Sequence, residues 1–332
     1  MTDSLRDLAG KKVLVTGGAG FIGSRTVDEL LPCGCSEIVV IDDMIRGRPE
    51  NLAAALASGR VRLVRGDICD RALMRGLVEG SDTVFHLAAL RITQCAAEPR
   101  RAMEVMVQAT YDLLETCVEA NVSKVVMASS ASIYGMASAF PTNEDHNPYG
   151  NRTLYGAAKA FGEALLRTFN DTYGLDYVAL RYFNAYGPRM DIHGRYTEVL
   201  IRWMERLAEG APPIIFGDGS QTLDMVHVDD IVRANVQAAR APATDVALNI
   251  GSGTETSLLE LAKTLAMEMG AAHLRPIHQE ERAVNPVPKR QADIRRAAAA
   301  IGFTPLVTLE EGLRSLVNWW RDEQAARRES AA

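Results

Sequence analysis

The chain has 332 residues, 47% of them hydrophobic, and a net charge of −6 with acidic and basic residues spread along its length. That is enough apolar material for a sizeable core, in one large α/β domain or two smaller ones, and it gives no electrostatic reason to expect a nucleic-acid partner. No apolar run reaches the roughly 18 residues a membrane span needs, the first residues lack the apolar core of a signal peptide, and five scattered cysteines fit reduced thiols in a cytoplasmic protein without a metal site.

In chain order, apolar runs of strand type fall at 12–16, 37–42, 61–65, 83–87, 124–128 and 177–181. Helical patterns lie between them at 22–31, 71–78, 101–120 and 155–173. This alternation predicts an α/β fold, a doubly wound parallel Rossmann-type sheet covered on both faces. After residue 181 the rhythm breaks at Pro188, Pro212-Pro213 and the turn Gly217-Asp218-Gly219, and amphipathic stretches recur at 197–207, 229–239, 258–269 and 309–320. The expected organisation is a dinucleotide-binding domain over 11–181, with 225–250 returning to it. A smaller, mostly helical substrate-binding lobe takes 182–224 and 251–320, and a polar, Ala-rich tail over 321–332 is expected to fray.

The first strand runs into Thr16-Gly17-Gly18-Ala19-Gly20-Phe21-Ile22-Gly23. Gly17 permits the tight turn, Gly20 lets backbone approach a pyrophosphate, and Gly23 lets helix pack on strand. The helix that Phe21 and Ile22 open then presents its N-terminus to the phosphates. Asp42 ends the second strand, where a carboxylate holds a ribose 2′-hydroxyl and repels a 2′-phosphate; this favours NAD over NADP, with Arg46 and Arg48 close enough to temper the preference. Asp67 and Ile68 follow the third strand, where an adenine would lie. Leu87, Ala88 and Ala89 follow the fourth, where small residues let a nicotinamide pass. His86 beside them reads as a satisfied strand-end histidine rather than a catalytic one.

Tyr155 and Lys159 are four residues apart on a predicted helix, so both side chains share one face. A lysine charge beside a phenol favours the phenolate and is expected to pull its pKa down from about 10, making a base. Ser129-Ser130 ends the fifth strand, and ligands of open α/β sheets bind outside such ends. A serine there can hydrogen-bond a substrate hydroxyl while Tyr155 takes its proton.

These segments, with Ile133-Tyr134-Gly135, Arg181-Tyr182-Phe183-Asn184-Ala185-Tyr186-Gly187-Pro188-Arg189 and Asp224-Met225-Val226-His227-Val228-Asp229-Asp230, resemble an extended short-chain dehydrogenase/reductase of the NAD-dependent nucleotide-sugar epimerase/dehydratase group. The resemblance spans about residues 11–320. It implies Ser130, Tyr155 and Lys159 as catalytic residues, Ser130 occupying the third place of the family's Ser-rich triplet, and Lys159 also bonded to the nicotinamide ribose. It implies Asn184 at the sugar diphosphate, Phe216 over the nucleotide base and Arg282 as a phosphate clamp. Arg91 follows the fourth strand, where substrate contacts are expected. The resemblance also implies a homodimer built on the helices at 101–120 and 155–173.

Several reactions of the group begin alike, with oxidation of the sugar C4-hydroxyl. Its 4,6-dehydratases carry an Asp-Glu pair where this chain has Ala131 and Ser132, and its uronate decarboxylases carry Glu at the position of Ser132. The pattern here resembles the 4-epimerases, most closely those of UDP-glucose type, acting on a UDP-hexose or UDP-hexuronate. Dehydratase, decarboxylase, reductase and non-catalytic NAD-binding readings are the alternatives. Three departures stand out. Leu223 replaces an Arg that binds the diphosphate, and Met106-Val107-Gln108-Ala109-Thr110 lacks an Asn near the nicotinamide. Arg290 lies near the residue that gates sugar size in UDP-galactose epimerases. A cation there reads a sugar carboxylate or is a solvated surface charge.

Overall fold

The structure is a computed structural model that describes residues 5–193, 198–280 and 287–331. Seven strands form the central sheet: β1 (Lys12–Thr16), β2 (Glu37–Asp42), β3 (Val61–Arg65), β4 (Thr83–His86), β5 (Lys124–Ser130), β6 (Asp176–Tyr182) and β7 (Val246–Ile250). Every pairing is parallel, in the order β7-β6-β5-β4-β1-β2-β3. β7 comes from the segment expected to return to the sheet, and it pairs with β6 from Val246↔Val178 to Ile250↔Tyr182. The direction of winding reverses between β1 and β4. A crevice opens there at the carboxyl ends of the strands, which is where such sheets bind ligands.

The period-2 alternation of buried strands builds a separate apolar layer on each face. Val13, Val15, Ile38 and Val40 point into one layer; Leu14, Val39 and Ile41 point into the other. The helices that matter to the site are α1 (Phe21–Leu30), α2 (Ile92–Ala97), α3 (Ala109–Glu119), α4 (Leu154–Tyr173), α5 (Val228–Arg240) and α6 (Leu309–Ala331). α1 and α5 pack together on one face of the sheet, α3 and α4 on the other. A third cluster, with Trp203, Met204, Leu261, Leu265, Leu313 and Trp320, is the core of the smaller lobe.

Local chemistry accounts for the ends of α4. Thr153 caps it by accepting the Gly156 N–H at 3.1 Å. Gly174 ends it at φ +71°, a conformation that suits glycine.

Two segments differ from expectation. The helix predicted over 101–120 is three pieces: Pro99–Met103 is α-helical, Glu104–Gln108 is π-helical and α3 follows. The wider π turn lies beside the crevice, and Met106 Sδ accepts the Leu90 N–H at 3.3 Å. The tail expected to fray instead continues α6 to Ala331. Tertiary contacts hold it, since Glu323 pairs with Arg48 at 3.1 Å and Arg327 donates to the Ile192 carbonyl at 3.4 Å. Among the described residues no helix is long and apolar enough to cross a membrane, and no group of three His, Cys, Asp or Glu is placed to hold a metal ion.

Candidate active site

The crevice is a cavity of about 570 Å³ running from the β2 and β3 ends to the β5 end. Such a volume is typical of a small-ligand site. Of the residues singled out from the sequence, Gly17, Gly20, Phe21, Ile22, Gly23, Asp42, Asp67, Ile68, Leu87, Ala88, Ala89, Arg91, Ser130, Tyr155, Asn184 and Arg290 all line it. Lys159 stands one turn behind Tyr155. Phe216 ends the short strand Ile214–Phe216 and is not among the described lining residues. Arg282 lies outside the described residues.

At the first turn, Gly17 has φ +68°, and a Cβ there would meet Ala88 Cα at 2.8 Å. A Cβ on Gly23 would stand 2.1 Å from the Gly17 carbonyl oxygen. No side chain caps α1 at Gly20 and no acid occupies its first turn, so its backbone N–H groups face the cavity without competition. Asp42 accepts the Ala19 N–H at 3.0 Å and the Met44 N–H at 2.9 Å. Burial raises its pKa, against those two bonds. Arg46 and Arg48 already have acidic partners, Asp191 at 3.1 Å and Glu323 at 3.1 Å. Asp67 accepts the Cys69 N–H at 2.9 Å and pairs with Arg101.

His86 is a fastener. Thr110 donates its hydroxyl to the Met106 carbonyl at 3.1 Å, so it must accept from His86 Nε2–H at 3.0 Å. Nδ1 is then the acceptor for the Thr16 hydroxyl, also at 3.0 Å. The Thr16 oxygen in turn receives the N–H groups of Leu87 and Ala88. Burial drives the imidazole pKa down to about 3, so it stays neutral and holds β1, β4 and α3 together.

At the other end of the cavity the pleat separates the two serines. Ser129 points away and donates to Glu163, which Arg181 grips through Nε at 2.9 Å and Nη2 at 2.6 Å. Ser130 points in, accepts the Ser132 N–H at 3.1 Å and lies near enough to Tyr155 to lower its pKa. Lys159 Nζ donates to the Ala128 carbonyl at 2.5 Å and lies 5.9 Å from the centroid of the Tyr155 ring.

This corrects one expectation. Tyr155's pKa is raised, first by burial. Ser130 and the charge of Arg290 work in the other direction. The lysine is itself desolvated, its pKa pushed down to about 8. Burial outweighs Ser130 and Arg290, and the Tyr155 pKa stays above the ordinary phenol value.

Asn184 spends its amide N–H on the Asp224 carbonyl at 3.0 Å. The Asp224 carboxylate, fully buried, accepts from Ser252, Gly253 and Ala292 and sews the second lobe to the sheet. Arg91 stands 3.5 Å from Glu198 and 3.9 Å from Asp191.

Ser132, Thr93 and Gln94 also line the cavity, as does Asp191, which sequence reasoning did not single out. Nor did it find Glu163, although Glu163 follows Lys159 by one helical turn and that spacing was there to be read.

Comparison with known proteins then decides the family. A family model described as "NAD dependent epimerase/dehydratase family" matches residues 13–251. The chain belongs to the NAD-dependent epimerase/dehydratase family. A UDP-glucose 4-epimerase of Mycolicibacterium smegmatis is 38% identical over 94% of this chain and 99% of its own length. In structure, the chain is similar to a UDP-N-acetylglucosamine 4-epimerase from Methanobrevibacter ruminantium M1, solved in complex with UDP-N-acetylmuramic acid. The TM-score is 0.89 and the identity 32%, over 95% of this chain and 99% of that one. It is also similar to a dTDP-glucose 4,6-dehydratase from Streptomyces venezuelae solved with NAD, at TM-score 0.87 and 30% identity, over 95% and 98% of the two chains. NAD is the cofactor of this epimerase/dehydratase family. The glycine cradle at 17–23, the uncapped start of α1 and Asp42 at the end of β2 fit a dinucleotide.

Proposed function

We propose that the protein is a nucleotide-sugar 4-epimerase, inverting C4 of a UDP-linked hexose or hexuronate through a transient 4-keto sugar. The observation that carries this reading is that Tyr155 and Ser130 line one cavity with the dinucleotide cradle, with no unpaired acid beside them among the described residues. Ala131 and Ser132 stand beside Ser130, and the acids that reach this end are paired, Asp191 with Arg46 and Glu198 with Arg91.

In this reading Ser130 hydrogen-bonds the C4 oxygen and fixes the alcohol against Tyr155. The phenolate takes the hydroxyl proton as the C4 hydride leaves, and C4 becomes a carbonyl. Bound NAD supplies the site that accepts this hydride and gives it back. After the ketone turns over, Tyr155 returns the proton to the C4 oxygen as the hydride arrives on the opposite face. Lys159, tied to the Ala128 carbonyl, orients the ribose-facing side of the site. Because no acid stands ready at 131 or 132, elimination of water has no proton donor.

Incubation with UDP-glucose, UDP-galactose and the corresponding uronates, followed by NMR, tests this. C4 epimers should form without added reductant, and Tyr155→Phe should lower the rate by roughly 10²–10⁴ while NAD stays bound. A dehydrated or decarboxylated product refutes the reading.

The protein also carries exposed Met103, Tyr111, Phe161 and Tyr173 on helices over one face of the sheet. We take this face as the contact with a second copy, so sedimentation should return twice the 36.1 kDa chain mass. Five free cysteines are consistent with a cytoplasmic protein.

A further inference from the structure

Arg290 enters the active-site cavity from the smaller lobe. Its backbone is fixed, because its N–H donates to the Thr222 carbonyl at 3.1 Å and Lys289 bridges to Thr222. Ala292 N–H donates to the buried Asp224 carboxylate at 2.9 Å. Side chains along this extended run alternate. Lys289 turns away to Glu255 at 2.5 Å and over the Phe140 ring, and Gln291 turns to the Gly253 carbonyl. Arg290 faces the cavity with Tyr155, Ser130, Ser132 and Asn184.

The charge balance of the cavity singles this arginine out. Among the described residues, four other partly buried arginines line it, and each has a carboxylate within ion-pair distance: Arg46 with Asp191, Arg48 with Glu323, Arg91 with Glu198 and Arg189 with Asp28. Arg290 makes no ion pair with a carboxylate among the described residues. Tyr155 is the ionisable group whose charge acts on it, and burial disfavours its cation. A partly desolvated guanidinium without an anion is a costly arrangement unless a ligand supplies one.

The chemistry of the proposed substrate says which anion. Every nucleotide sugar carries its diphosphate on C1, across the ring from the reacting carbon. A carboxylate at C6 is attached to C5, the immediate neighbour of C4. A guanidinium that lines the cavity with Tyr155 and Ser130, the groups acting on C4, is placed to meet the C6 substituent. We propose that Arg290 forms a carboxylate subsite, so that the sugar this enzyme takes is a hexuronate. The planar guanidinium can grip both carboxylate oxygens, a geometry the primary alcohol of a neutral hexose cannot offer. This inference rests on the 4-epimerase reading for its placement of C4.

Two measurements test it. The first is kcat/KM for UDP-glucuronate and for UDP-glucose, by NMR, in the wild type, Arg290→Gln and Arg290→Lys, with NAD content and thermal midpoint as checks on folding. The acid should be preferred by roughly ten- to a hundredfold, as a charge-assisted bond would give. The preference should collapse in Arg290→Gln and return in part in Arg290→Lys. Turnover of UDP-glucose with no preference for the acid overturns the carboxylate subsite and leaves the epimerase reading standing. Turnover of neither sugar counts against the epimerase reading.

The second measurement then decides the subsite by itself. It is equilibrium binding of UDP, UDP-glucose and UDP-glucuronate to NAD-loaded Tyr155→Phe, with and without Arg290→Gln. Selective weakening of UDP-glucuronate supports the proposal. Equal weakening of all three, UDP included, assigns the guanidinium to the diphosphate and overturns it.

Discussion

Replacing Lys159 by Met should stop the reaction yet make the folded protein more stable at neutral pH. The ammonium is 7% exposed and has one fixed acceptor, the Ala128 carbonyl at 2.5 Å. The nearby Glu163 carboxylate is committed to Arg181 and Ser129. Burial moves the lysine pKa from 10.5 to about 8. At about 1.4 kcal/mol per pKa unit, holding this charge costs the fold about 3 kcal/mol.

The sign follows from proton binding. Between pH 8 and 10.5 the unfolded lysine keeps a proton that the folded one has lost, so wild-type stability rises with pH across that window. Below pH 8 the full cost is present. Methionine removes it at similar volume and forfeits one hydrogen bond of about 1 kcal/mol. Lys159→Met should therefore be about 2 kcal/mol more stable at pH 7, roughly 3–5 °C in thermal midpoint for a chain of this size. The advantage should shrink and then reverse as pH approaches 10.5. Thermal unfolding of both proteins, freed of NAD, at about pH 7 and about pH 10 measures this directly; taking the difference cancels Lys124, also pushed down to about 8. A wild type that is the more stable at pH 7, or a difference that ignores pH, refutes the argument.

Gly23→Ala should strip the protein of NAD, because its Cβ would meet the Gly17 carbonyl and Gly18 Cα, backbone atoms that cannot yield without opening the cradle; overpacking of about 1–3 kcal/mol should lower the thermal midpoint, and normal NAD titration in a folded variant would contradict this. Arg181→Met leaves the half-buried Glu163 carboxylate without its cation and should cost about 3–5 kcal/mol. Adding Glu163→Gln should recover part of that loss, and a double variant no more stable than Arg181→Met would sink the pairing argument. His86, with its pKa at about 3, should show the neutral Nε2–H tautomer by NMR throughout the physiological range. Stability should fall as pH drops below 6.5, where the unfolded imidazole takes a proton that the folded one refuses.

Legible along the chain alone were the alternating strands and helices, the glycine cradle, the acid at the end of β2 and the Tyr155–Lys159 face. Each is a short-range signal: a period of two or 3.6, a glycine where no Cβ fits, two side chains one helical turn apart. The choice of Ser130 over Ser129 came from resemblance; the pleat of β5 is its physical reason, sending one serine to Tyr155 and the other to Glu163.

Tertiary structure alone decided the rest, since charge and burial depend on neighbours distant in the chain. Arg46 and Arg48, read as possible ligands of a 2′-phosphate, are matched by Asp191 and Glu323 from elsewhere in the fold. The tail read as frayed is held as helix by those same long-range pairs. Lys159 adjoins Tyr155 in the helix, yet burial raises the phenol's pKa and lowers the lysine's. Arg290, ambiguous as a letter in a polar stretch, lines the cavity because the extended run that bears it is sewn to Thr222 and Asp224. Periodicity fixes which face a residue takes; the packing of two lobes fixes what that face meets, and therefore which charges the substrate must satisfy.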